Sequence, residues 1–148
     1  MPGAIALTAL TYGGNNIHNE AGGIYFWVEH GLFEGIGVRG GDIVIPGRDG
    51  LIKANRRKST RTIELMGNVF GTDPNLTTRA GELITRMTSV ASWFPLAARR
   101  TLVATLQGGA VYTLDDCIVL NIIPEYITTD FARVNVEVES VIPDWVVT

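Results

Sequence analysis

From Phe131 to Val141 the chain alternates. Val134, Val136 and Val138 fall on one parity, and Asn135, Glu137 and Glu139 on the other. A period of two belongs to a strand, whose successive side chains point to opposite faces. This segment therefore predicts a strand with one buried apolar face and one acidic face turned to water or to a partner. The same period runs from Thr60 to Phe70, with Ile63, Leu65, Gly67 and Val69 on one side. Each apolar face has to be covered by another layer, which limits the chain to sheet-based architectures.

Further strands are predicted on both sides of these two. Ile5, Leu7 and Ala9 alternate ahead of a turn-rich stretch, Gly13 to Asn19. Ile24 to Val28 is apolar and aromatic, bounded by Gly23 and Gly31. Asp42 to Ile45 reads as a short strand ended by the tight-turn composition Pro46-Gly47-Arg48-Asp49-Gly50. Thr101 to Leu106 and Val111 to Leu114 flank Gln107-Gly108-Gly109-Ala110, a hairpin signal. Cys117 to Ile123 is nearly all apolar, as a strand covered on both faces would be, and Pro124 falls where an edge or a bulge would accommodate it.

Only one segment has a helical period. Asp73 suits an N-cap and Pro74 the first helical position. Leu76, Ala80, Leu83, Ile84, Met87, Ala91 and Phe94 then recur at spacings of three and four, until Pro95 stops the run. A helix is predicted over about residues 74–93. Gly81 within it costs about 1 kcal/mol relative to alanine.

Strands, one helix and then a meander make an α+β fold: a mainly antiparallel β-sandwich or split barrel with one packed α-helix. The 148 residues fit a single domain, 1–148. A chain of this length buries roughly 68–70% of its unfolded surface without needing staples. The 17 glycines have no three-residue period and read as turn and bulge residues. Cys117 is the single cysteine and has no internal disulfide partner. The start of the chain, Met1 to Ile5, has no basic residue and no long apolar run, so no signal peptide is expected. No apolar run approaches the roughly 18 residues of a membrane span. Synthesis in a reducing cytosol, without membrane association, is the expectation.

Catalytic chemistry finds little support. Gly35-Ile36-Gly37-Val38-Arg39-Gly40 matches a nucleotide-binding glycine pattern, but the residues after it read as strand where that motif requires a helix. His18 and His30 stand in no close metal-ligand spacing. Cys117 opens an apolar strand and reads as a core residue. Asp115 and Asp116 would share one site only across a bulge, and a turn between strands is the simpler account. The expectation is a non-enzyme without cofactor or metal.

Charge gives the positive signal. The net charge is −3. From Arg48 to Arg61, six basic residues (Arg48, Lys53, Arg56, Arg57, Lys58, Arg61) outnumber one acid, a surplus of five. From Asp115 to the end, seven acids outnumber one base, Arg133. Opposite patches on one chain permit head-to-tail association. The basic segment lies between strands without interleaved aromatics for base stacking. It is read as a solvated hairpin tip, a partner-binding arm or a phosphate contact. The candidate contact residues are those six, with Glu137 and Glu139 as their acidic partners.

Gly41 to Gly50, followed by Arg61-Thr62-Ile63-Glu64-Leu65-Met66-Gly67-Asn68-Val69-Phe70-Gly71, resembles the N-terminal, tail-tube-like domain of phage distal tail proteins. In that family of long, non-contractile-tailed phages, a P-G-R-x-G turn precedes an R-x-I-x-L-x-G strand, then a helix, then a β-meander. The resemblance implies a structural virion protein of the tail tip or baseplate that closes into a hexameric ring. It implies a place between the tail-tube protein and the tail-tip hub, with the tape-measure protein as a further neighbour. DNA would meet it only in passing through the channel. Synthesis would be in the host cytoplasm. Many members carry a further C-terminal domain for receptor or carbohydrate contact; this sequence ends at Thr148, soon after its last strand, so that domain is not expected. A tail-tube, tail-terminator or other minor tail protein is an alternative. So is a carbohydrate-binding β module using Trp27, Trp93 and Trp145 as a platform.

Overall fold

The structure, a computed structural model, describes residues 7–32, 60–142 and 144–148, together with the backbone of 38–39, 43–44, 51–52 and 57–58. The elements in chain order are β1 (Leu7–Tyr12), β2 (Asn15–Asn16), β3 (His18–Asn19), β4 (Ile24–His30), β5 (Val38–Arg39), β6 (Ile43–Val44), β7 (Leu51–Ile52), β8 (Arg57–Lys58) and β9 (Arg61–Phe70). The helix α1 (Leu76–Trp93) follows, then β10 (Arg100–Leu106), β11 (Val111–Thr128), β12 (Phe131–Ser140) and β13 (Val146–Val147). The fold is mostly antiparallel β with one helix, compatible with a β-sandwich. The main sheet runs β2-β1-β10-β11-β12-β9-β4-β3, with β13 pairing on β11.

The two alternating segments lie side by side at the centre. Val134 faces Gly67, Val136 faces Leu65 and Val138 faces Ile63 across the β12–β9 ladder, all on the buried side. Gly67 is glycine for a steric reason: a Cβ there would run into the ring of Phe26, its neighbour on β4.

Ile17 lies between β2 and β3 and is fully buried. Its N–H donates to Leu10 O at 3.0 Å, and its carbonyl accepts from Phe26 N at 2.7 Å. One residue thus links β1 to β4, the two sides on which the sheet path ends. The strand ladder itself does not close there.

The helix begins two positions later than its sequence predicts. Asn75, not Asp73, is the N-cap: its Oδ1 accepts from Thr77 N at 2.9 Å and Thr78 N at 3.3 Å. Asp73 instead accepts from Asn75 N at 2.8 Å and turns the chain into that cap. The buried stripe is Leu83, Val90 and Phe94, with Met87 packed against it. Leu76 and Ile84, expected on that stripe, are 54% and 69% exposed. The Phe94 ring lies 5.0 Å from that of Tyr12 and 5.5 Å from that of Phe26, joining the helix end to β1 and β4.

Three other expectations change. Leu7, Leu10 and Tyr12 are the buried residues of β1, because a register shift between Leu7 and Ala9 reverses the parity. Ile5 lies outside the described residues. Asp115 and Asp116 form no turn between strands: they lie inside β11, where the register against β10 shifts and Asp116 takes φ 54°. Cys117 to Ile123 is not covered on both faces, since Leu120 and Ile123 are 47% and 54% exposed. The helix packs on the inner side of the sheet, and nothing among the described residues covers the outer side at these two positions. The expected hairpin does form, with Gly108 and Gly109 both at positive φ.

Candidate subunit interface

The basic segment sits in an excursion between β4 and β9. Val38 pairs with Lys58 and Arg39 with Arg57; within that pair in sequence, Ile43 pairs with Ile52 and Val44 with Leu51. Two antiparallel pairs nested in this way fit an arm that runs out and returns. Arg57 and Lys58 contribute backbone to the outer pair. Arg48, Lys53 and Arg56, and the turn expected at Pro46 to Gly50, lie outside the described residues. The glycine pattern at Gly35 to Gly40 contains β5, and the next described element is β6, where a phosphate-binding motif would have a helix.

Arg61 does not belong with the surface cations. It is 9% exposed, and its Nη1 donates to Gly31 O at 2.8 Å. The indole N–H of Trp145 donates to the same carbonyl at 3.1 Å. Arg61 begins β9 on the buried parity of that strand, so its guanidinium ties loop backbone inside the molecule rather than reaching a neighbour.

The acidic face lies where the alternation puts it. Glu137 is exposed and Glu139 half-buried on the outer side of β12. Their cross-strand partners on β9 are Glu64 and Thr62. Glu64 directly opposite Glu137 sets like charges on adjacent strands, an arrangement that costs stability when left uncompensated. Asn135 Nδ2 donates to Glu64 Oε1 at 3.2 Å. A cavity of about 260 Å³ opens here, lined by Thr62, Glu64, Asn121, Ile123, Asn135 and Glu137. Reading the sequence missed Glu64. Its parity on β9 marks it as outward, but only the strand register sets it against Glu137.

Beside this face runs an open strand edge. β10 accompanies β11 only as far as Cys117, and from Ile118 to Thr128 the ladder partner among the described residues is β12 alone, apart from a single bridge between Val119 and Leu96. Pro124 stands on this edge, where it withholds no ladder donor from a neighbour. Leu120, Ile123, Tyr126 and Ile127 are all between 47% and 64% exposed along the same stretch. A long apolar edge is a template for pairing with another chain.

The remaining candidates lie apart from this face. The Cys117 thiol is buried, donates to Leu114 O at 3.3 Å, and is pushed up to about 12, chiefly by burial. Asp115 accepts from Thr101 Oγ1, and Asp116 lies 3.8 Å from Arg99. His18 Nδ1 is 2.7 Å from the carbonyl of Phe26. Among the described residues no group of His, Cys, Asp and Glu is arranged to hold a metal. Trp27 is 4% exposed with its N–H on Glu29 at 2.6 Å, so the three tryptophans do not make one open platform.

No family model matches the sequence, and no curated protein matches it. Among solved structures the chain is similar to SPP1 Dit (gp 19.1), whose crystal structure is described as a paradigm of the hub adsorption apparatus in Gram-positive-infecting phages. The TM-score is 0.62 at 18% sequence identity, over 91% of this chain and 50% of that one. The likeness is one of fold, and this chain spans about half the length of SPP1 Dit.

Proposed function

We propose that this chain is a structural component of a phage tail tip: a distal tail protein whose copies close into a ring, a hexamer, joining the tail tube to the tail-tip hub. The observation that carries this reading is the fold shared with SPP1 Dit over 91% of the chain. It agrees with the resemblance of Gly41 to Gly50 and Arg61 to Gly71 to distal tail proteins.

The surface features favour such a ring. A cyclic assembly needs two different patches on each copy, one meeting the other on the next subunit. The basic arm and the acidic outer face supply one such pair, and the open β11 edge supplies backbone groups for a neighbour to satisfy. The Ile17 link between β1 and β4 supports a split-barrel description of the domain, with the 148 residues acting as one unit. In this role the protein is a non-catalytic part of the virion, beside the tail-tube, hub and tape-measure proteins, and meets DNA only in transit.

Electron microscopy of the purified protein and of labelled virions tests the reading. Closed rings, present once at the tip of each tail, are expected. Rings repeated along the tail would assign the chain to the tube instead. A strict monomer at high concentration, absent from particles, would overturn the proposal.

A further inference from the structure

We infer that the outer face of β9, β12 and β11 is the socket for the basic arm of a second copy of this chain, with arginine side chains of segment 48–58 seated between Glu64 and Glu137. The inference rests on the ring reading and names the occupant of one of its surfaces.

The face is unbalanced by itself. Glu64 and Glu137 are directly opposed across the β9–β12 ladder, which brings their Cβ atoms to roughly 4.5–5.5 Å. The only side-chain donor on Glu64 among the described residues is the Asn135 amide, and none of the described residues gives Glu137 a hydrogen bond or ion pair. Two carboxylates held this close gain from one shared cation. The cavity between them adds the oxygen acceptors of Thr62, Asn121 and Asn135 and the apolar wall of Ile123. Several acceptors around one cavity suit a guanidinium, whose five N–H donors lie in one plane, better than they suit the compact ammonium of lysine.

The source of the cation is on the same chain. With the buried Arg61 left out, segment 48–58 carries five basic residues against one acid, Asp49, and three of the five are arginines. The β6–β7 pair nests in sequence within the β5–β8 pair, the order of pairing found along a single hairpin arm. Ile123 belongs both to the cavity wall and to the exposed apolar stretch of β11, so a neighbour seated in the socket would also cover that stretch.

Charge-swapped variants test this. Arg56→Glu with Arg57→Glu reverses the arm; Glu64→Lys with Glu137→Lys reverses the face. Each variant alone is expected to associate at least about tenfold more weakly than wild type, the scale of a lost charge-assisted contact. Mixed in equal amounts, the two should regain assembly. In an alternating ring the acidic arm meets the lysine face, and the unchanged arm meets the unchanged face. Glu64→Gln with Glu137→Gln, a milder change, should weaken association with the circular dichroism spectrum intact, which keeps the test valid if the lysine variant folds poorly. Wild-type rings that persist in both face variants would overturn the socket and leave the ring reading standing. A mixture that stays dissociated would also overturn it, pointing to an arm that folds back on its own subunit. A wild-type monomer would instead sink the ring reading itself.

Discussion

Arg79, near the start of α1, holds Asp130, in the turn between β11 and β12, with Nε 2.8 Å from Oδ2. The same guanidinium donates to the carbonyls of Asp73 and Pro74 at 2.9 Å. One side chain therefore fixes the approach to the helix and pins it to the far end of the central hairpin. Gly71 leaves the space this requires, since a Cβ there would meet Arg79 at 2.5 Å.

Asp130 is held below the ordinary carboxylate range, first by its hydrogen bond from Arg79 and then by that from Thr128. A carboxyl group whose folded pKa is depressed adds stability above its unfolded pKa, and that stability is lost as pH falls through the folded value. Asp130→Asn should therefore melt slightly below wild type at neutral pH, with the gap shrinking below about pH 4. Thermal melts across an acid series check this; a gap that stays constant would contradict the Arg79 pairing as its cause.

Gly67→Ala should destabilise the sheet. The added methyl group meets the Phe26 ring in a fully buried layer, and overpacking of this kind costs about 1–3 kcal/mol. Urea unfolding measures the loss. Adding Phe26→Leu to the alanine variant should recover part of it, which a purely backbone effect at position 67 would not allow.

Alkaline pH should unfold the protein through two buried acids. Burial pushes the Cys117 thiol from 9.0 up to about 12 and the Tyr12 hydroxyl from 10.0 up to about 12. Both ionise more readily in the unfolded chain. Stability is therefore full below about pH 9 and falls as pH rises toward 12. Cys117→Ala should delay the onset of that fall toward the range where Tyr12 alone titrates. Native protein at pH 8 should also react slowly with thiol reagents, and rapidly once denatured.

The open edge of β11 should matter to assembly and not to the monomer. Leu120 and Tyr126 are 47% and 64% exposed, so replacing both with lysine should leave monomer stability within roughly 0.5 kcal/mol per site. Charged residues on an exposed edge oppose strand pairing. Light scattering and microscopy should then find fewer of the proposed rings beside an unchanged melting curve.

The central ladder was legible because period-two patterning survives wherever one face is buried, as along Ile63, Leu65, Gly67 and Val69. Local features that shift register left no such trace. The bulge in β1 moved burial from Ala9 to Leu10, and the bulge at Asp115 and Asp116 let one strand run straight through an apparent turn. The helix was legible as a helix, but Asp73 and Asn75 both offer a capping oxygen, and local hydrogen bonds chose the second. The acidic face followed from parity, whereas the pairing of Glu64 with Glu137 depends on which residues of β9 and β12 stand opposite each other. Arg61 shares a charge with its neighbours in sequence, and only the path of Gly31 turns it inward.

The partner of β1 lies far downstream: Thr8 Oγ1 donates to the carbonyl of Thr105, 97 positions away. On the ribosome, the first strand emerges long before β10 has been synthesised. The nascent N-terminal half cannot complete its own ladder, and Leu10 and Tyr12 stay uncovered until the helix and β10 have emerged. Docking of β1 is thus a late, long-range step of the kind that slows folding. Many identical chains made at once would share that delay, which places a premium on holding early strands apart until each finds its own downstream mate.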